Sequence, residues 1–197
     1  MRHFEESGIR VDFPDCNWFR FCDMPTYASL SGQNLKEMDC GWWDSEQGVL
    51  WLIELKGEEV WLSESTQMMR QCKQIERPSL SRPTPKLMHT LLVKAVDSLL
   101  ILGSIWSGTG TGNNFLNYLP SELSSYPGDG NIELLFVIDT PPSRRGLLTA
   151  PRQQLNRLLQ GKLGLYNIRR IEVLDVNNAT RPARLRQSRL EISRSAN

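Results

Sequence analysis

The chain of 197 residues holds only two histidines, His3 and His89, and four cysteines, Cys16, Cys22, Cys40 and Cys72, none of them in C-x-x-C spacing. A structural zinc site draws four Cys or His ligands with close paired spacings, so this scarcity points away from one. Free thiols in a reducing cytosol are the expectation instead. Long apolar runs are missing as well. A bilayer span needs roughly 20 mainly apolar residues, and the longest candidate, Leu87 to Trp106, is interrupted by His89, Lys94, Asp97 and Ser98. The N-terminus, Met1-Arg2-His3-Phe4-Glu5-Glu6, lacks the apolar core of a signal peptide. The expectation is a cytoplasmic protein without a membrane partner. Ser107-Gly108-Thr109-Gly110-Thr111-Gly112 lacks the Gly-Lys-Ser/Thr ending of a nucleotide P-loop and does not meet G-x-G-x-x-G, so it reads as a flexible connection.

What is present is ordinary in amount and uneven in placement. Hydrophobic residues make up 40% and charged residues 23%, enough for one domain with a substantial core. The net charge of +1 conceals an asymmetry. Residues 1–143 hold 11 Lys and Arg against 19 Asp and Glu, whereas residues 144–197 hold 12 against 3. Arg144, Arg145, Arg181, Arg184, Arg186 and Arg189 belong to this basic segment. Guanidinium forks suit phosphate oxygens, which makes these six the candidate nucleic-acid contacts. Charge alone leaves a solvated or partner-binding tail equally open. The expected organisation is one domain over 1–180 followed by a basic, flexible tail over 181–197.

Hydropathy patterning predicts strands at Trp18–Cys22, Leu35–Trp43, Val49–Lys56, Ile132–Asp139 and Ile168–Val176. The turn formers Asp44-Ser45-Glu46-Gln47-Gly48 join the second and third as a hairpin. A register with Trp43 opposite Leu50 sets Asp39 opposite Glu54, at a cross-strand approach of about 5 Å. A slip by one residue would send the two acids to opposite faces. Helices are expected from Ser63 to about Glu76, from Thr84-Pro85 onward, and from Thr149-Ala150-Pro151. Leu99–Leu102 reads equally as the end of the second helix or as a short strand. The order predicts a mixed α/β (α+β) domain with a central mixed β-sheet flanked by helices.

The chemistry gathers at Glu54-Leu55-Lys56, which closes the apolar run Val49–Ile53. Period-2 geometry points Glu54 and Lys56 to the same side of their strand. Opposite charges at the rim of a core element carry a desolvation cost unless they are paired or hold a ligand. With Asp39 they form the minimal set for metal-assisted phosphodiester chemistry, two acids and a lysine. The competing reading is a solvated ion pair where a strand leaves the core, with Asp39 opening the hairpin. Asp44 is the fallback ligand should the register differ. Asp139 and His89 are assigned no function, His89 being read as a packed or capping residue. Trp42, Trp43, Trp51 and Trp61 are expected mostly in the core, with one exposed ring available to stack on a base.

Asp39, followed fifteen residues later by Glu54-Leu55-Lys56 at the end of an apolar strand, resembles the PD-(D/E)XK nuclease superfamily. Met38 stands where the name-giving proline would be, and Gln67 and Gln71 only loosely resemble the glutamine–tyrosine motif of some branches. The resemblance covers about residues 18 to 140 and implies a restriction-endonuclease-like core. It implies Asp39, Glu54 and Lys56 as catalytic residues, and Asp39, Glu54 and the Leu55 carbonyl as ligands of Mg²⁺ or Mn²⁺. Glu5 or Glu6 would supply the additional helical glutamate of some branches. The implied partner is nucleic acid, DNA favoured, with the protein a homodimer or a subunit of a larger nucleoprotein or defence complex. The alternative is a degenerate nuclease fold that binds nucleic acid or protein without catalysis.

Overall fold

The computed structural model describes residues 2–30, 32, 34–57, 86–143, 148–168, 171–177, 185 and 187–195. Two sheets and a layer of helices make a mixed α/β fold. The larger sheet contains β3 (Trp18–Phe19), β4 (Cys40–Asp44), β5 (Val49–Lys56), β6 (Ile132–Ile138) and β7 (Ile171–Asp175), in that spatial order. β4 runs antiparallel to both β3 and β5, and β5, β6 and β7 are parallel, so β5 is where the mixed sheet changes from antiparallel to parallel pairing. The smaller antiparallel sheet has the order β1 (Arg2–Glu6), β2 (Ile9–Phe13), β8 (Glu191–Arg194).

The apolar runs follow from this layering. One face of the larger sheet carries Leu50, Leu52, Leu134, Phe136, Ile171 and Val173 into a core with the helices α1 (Pro25–Leu30), α2 (Lys86–Trp106) and α4 (Thr149–Leu165). The other face carries Trp42, Trp51, Ile53, Leu55, Leu135 and Val137 against Phe4, Ile9, Val11, Phe13 and Ile192 of the smaller sheet. A strand covered on both faces loses the alternation of a half-buried one, which is why β5 and β6 read as continuous hydrophobic stretches.

The β4–β5 hairpin has the expected register, with Trp43 opposite Leu50 and Cys40 opposite Ile53. Its turn is held by Asp44, whose Oδ1 accepts from the backbone N–H groups of Glu46 and Gln47 at 3.1 and 3.0 Å, while Gly48 takes the positive φ of 63°. Asp44 is therefore a turn-forming residue. The second strand starts later than expected: residues 35–39 precede it and dock on α2, where Lys36 N–H donates to Asp97 Oδ2 at 2.9 Å and Met38 N–H to Ser98 Oγ at 2.8 Å. The first strand is also shorter, since Phe21–Asp23 turns into a 3-10 helix that sends Phe21 into the core.

Leu99–Leu102 is helical within α2. This helix has the length and apolar composition of a membrane span, yet nine of its side chains are buried in the core against the sheet. His89 is exposed on it, contrary to the packed position expected. Ser107–Gly112 turns into the short α3 (Gly110–Asn113), with the Thr109 hydroxyl accepting from Gly112 N–H at 3.0 Å.

The N-terminal hairpin went unread in the sequence. Ile9, Val11 and Phe13 alternate as a half-buried strand should, and Ser7-Gly8 has positive φ at both positions, the two-residue turn that matches strand twist. Glu5 and Glu6 consequently lie on a strand, not on the helix that an additional catalytic glutamate would require. The C-terminal segment departs from the flexible tail expected over 181–197. Glu191–Arg194 is β8, paired to β2 with Ile192 opposite Val11 and buried in the core between the sheets. The helix expected from Ser63 to Glu76, with Gln67 and Gln71, as well as Trp61 and the Thr84-Pro85 helix start, lie outside the described residues.

Gly41 of β4 passes directly under the Phe19 ring of β3, and an added Cβ would fall inside the ring's van der Waals envelope. Gly41→Ala is expected to cost about 1–3 kcal/mol through overpacking. Gly161→Ala, on an exposed part of α4 with open space around the position, is expected to stabilise by about 0.5–1 kcal/mol. Urea denaturation of the two variants checks both signs. Equal stability of Gly41→Ala and the parent protein would contradict the packing described.

Candidate active site

Glu54 is the third residue from the end of β5 and has 0% of its surface exposed. It occupies the helix-facing side of the sheet, where its neighbours along β5 are Leu52 and Lys56. Asp39 lies one residue before β4, in line with the position opposite Glu54. Its carboxylate is oriented by the chain itself, with Leu55 N–H donating to Asp39 Oδ2 at 2.8 Å. The docking of residues 36–38 on α2 fixes the backbone just ahead of it, and Arg20 Nε donates to the Asp39 carbonyl at 3.2 Å. The hairpin register thus brings the two sequence-selected acids together.

Two ammonium groups meet them. Lys56 Nζ contacts Glu54 Oε1 and donates to the Leu55 carbonyl at 3.1 Å. The second is Lys94 of α2, a residue that sequence reasoning noted only as an interruption of an apolar run. Its Nζ lies 2.7 Å from Asp39 Oδ1, 2.9 Å from Glu54 Oε1 and 3.0 Å from Glu54 Oε2. Lys94 therefore bridges the helix layer to both strands of the hairpin. Its one sequence signal was a cation placed among the apolar residues of a core helix.

Burial pushes the Glu54 carboxyl up to about 7, and the neighbouring Asp39 charge adds to the rise. Lys56 and Lys94 pull the other way without cancelling it. Burial by itself would lower the Lys94 ammonium, but Glu54 and Asp39 outweigh it and raise its pKa above the usual lysine value. Glu54 Oε1 is the ion-pair acceptor of both lysines and Oε2 accepts from Lys94 at 3.0 Å, so the two ammonium groups occupy both oxygens of the buried carboxylate.

The site lies at the carboxyl ends of the parallel strands, where open α/β sheets commonly bind ligands. Asp139 follows β6 and its N–H donates to the Lys56 carbonyl at 2.8 Å. Its own carboxylate is taken by Arg194, 2.7 Å away, which makes it a link between the sheets. Among the described residues no group of three or more His, Cys, Asp and Glu side chains gathers as a metal site.

No family model, curated protein or solved structure matches this chain.

The remaining sequence-selected residues are placed as follows. Arg189 is exposed and lies 3.4 Å from Glu46 on the hairpin turn. Arg144, Arg145, Arg181, Arg184 and Arg186 lie outside the described residues. Trp42, Trp43 and Trp51 are all buried, so none offers a ring to a base. Cys16, Cys22 and Cys40 are free thiols, while Cys72 lies outside the described residues.

A carboxyl with a pKa raised on folding binds its proton more firmly in the native state. The stability it contributes is complete below about 4.5, the ordinary glutamate value, and is lost as pH rises through about 7. The stability difference between the parent protein and Glu54→Gln is therefore expected to fall across this window in chelator-containing buffer, with a slope on the order of 1 kcal/mol per pH unit. Denaturant titrations at intervals between pH 4 and 8 measure it. A difference that grows with pH would mean that the lysines dominate over burial.

Proposed function

We propose that the protein is a metal-dependent nuclease of the PD-(D/E)XK type, hydrolysing phosphodiester bonds of nucleic acid, with DNA the favoured substrate. The observation that carries this reading is the convergence of Asp39 Oδ1 and both Glu54 carboxylate oxygens on one cationic point, the Lys94 ammonium, with Lys56 alongside. Two carboxylate groups converging on one cationic point are the donor type that suits a hard divalent ion such as Mg²⁺ or Mn²⁺. Asp39 and Glu54 would hold it, with the Leu55 carbonyl, already turned toward Lys56, as the third donor. When bound, the ion would polarise the scissile phosphate and lower the pKa of a coordinated water.

The protein's own groups do the rest. Asp39 is kept in place by Leu55 N–H on Oδ2, so Oδ1, held by Lys94, is the oxygen directed at the cation position. Glu54, buried in the sheet, supplies a carboxyl group whose position costs no reorganisation during the reaction. Lys56 is the group to orient the attacking water or to neutralise charge developing on phosphorus. Arg144, Arg145, Arg181, Arg184, Arg186 and Arg189 would supply sequence-independent phosphate contacts. Free thiols at Cys16, Cys22 and Cys40 suit a cytoplasmic setting.

A second reading draws on the same lysines. Two carboxylates and two ammonium groups leave the cluster neutral without any metal, which favours a degenerate nuclease fold that binds nucleic acid or protein as a subunit of a larger assembly.

Incubation with plasmid, single-stranded DNA and RNA, with Mg²⁺, Mn²⁺ or EDTA, separates the two. Cleavage by the parent protein is expected only with divalent metal. Glu54→Gln and Lys56→Met are expected to lower it by at least about 100-fold while leaving the circular dichroism spectrum unchanged. Metal-dependent cleavage retained in both variants would sink the nuclease reading. No cleavage under any condition would favour the binding module.

A further inference from the structure

We infer that Lys94 is a built-in competitor for the divalent cation: its ammonium keeps Asp39 and Glu54 converged until a metal ion displaces it. The inference rests on the nuclease reading of this site and adds a residue and a means of control that the Asp…Glu-x-Lys pattern does not contain.

Three observations support it. First, the ammonium is chelated as a metal would be, by one oxygen of Asp39 and both oxygens of Glu54, at 2.7 to 3.0 Å. Oxygen donors of Mg²⁺ approach to about 2.0–2.1 Å, so a modest contraction around the same point would suit the ion. An ammonium and a divalent cation repel each other and cannot share that point. Second, Lys94 comes from a different element than the acids. The α2 backbone beside it is tied to the segment before Asp39 through Asp97 and Ser98. The helix stays in place, and the movable part is the four-carbon lysine stem. Third, the Lys94 side chain is 19% exposed, whereas Glu54 is fully buried. The ammonium therefore has a way out of the site that the carboxylate lacks. Lys56 does not play this part, since its ammonium is engaged by Glu54 and the Leu55 carbonyl of its own strand.

The competition is read directly by isothermal titration of MnCl₂ into the parent protein, Lys94→Met and Lys94→Arg. Lys94→Met keeps the stem and removes the charge, and it is expected to bind Mn²⁺ at least about tenfold more tightly than the parent. Lys94→Arg keeps the charge and is expected to show no such gain. A complementary measurement needs no variant. The ¹H–¹⁵N signal of the Lys94 ammonium, protected by its carboxylate partners in the parent protein, is expected to exchange away when MgCl₂ is added to saturation. Unchanged Mn²⁺ affinity in Lys94→Met overturns the inference. So does an unchanged Lys94 signal in Mg²⁺-saturated protein, and this NMR result decides the matter should Lys94→Met not fold.

The two ideas fail separately. Metal-dependent cleavage by the parent with no gain in Mn²⁺ affinity for Lys94→Met removes the competitor and leaves the nuclease. A tenfold gain in Lys94→Met, with no cleavage by any form, keeps the competitor and removes the nuclease.

Discussion

A carboxylate with no exposed surface sits at the end of a strand that is covered on both faces, and much of the architecture around it can be understood as its compensation. Glu54 is buried under α2 because β5 is the central strand of five and carries the core on both sides. An isolated charge in such a place is costly enough that it takes up a proton or acquires partners. Here it does both in part: burial raises its pKa, and two lysines converge on it from different elements. The Lys94 contact ties α2 to the β4–β5 hairpin, while the Asp97 and Ser98 contacts tie the same helix to the segment leading into β4.

The charge cluster lies at one end of the larger sheet. Helices cover one face of the larger sheet and the three-stranded sheet covers the other. At this end β5, β6 and β7 run parallel and finish together. Lys56, Asp139 and Asp175 terminate these strands or follow them immediately, so polar groups collect at the rim while the middle of each strand is apolar. Asp139 and Arg194 close part of this rim by joining the larger sheet to β8.

Legibility in the sequence tracked the range of the interaction responsible. The β4–β5 hairpin was readable because its turn chemistry is local: Asp44 caps the turn and Gly48 supplies the left-handed residue, which together set the register. From that register the approach of Asp39 to Glu54 followed. The N-terminal hairpin carried equally local signals in Ser7-Gly8 and in the alternation of Ile9, Val11 and Phe13, and was overlooked beside the stronger apolar runs. β8 was less legible. Its four residues include one buried apolar side chain, Ile192, and only pairing with β2, nearly the whole chain away, makes them a strand.

By itself the sequence determined the mixed α/β character, the central strands, the hairpin register and the placement of two acids and a lysine on one side of one sheet end. These depend on periodicity and turn residues, which act over a few positions. Long-range packing, by contrast, sets the arrival of Lys94 beside them, the placing of Glu5 and Glu6 on a strand of the smaller sheet, and the pairing of the C-terminal segment into that sheet. The physical reason is that helix rotation and strand partnership across the chain are set by packing of whole faces. Lys94 meets Asp39 and Glu54 because Leu91, Ala95 and Ser98 beside it are driven into the core, and that rotation carries the ammonium onto the carboxylates.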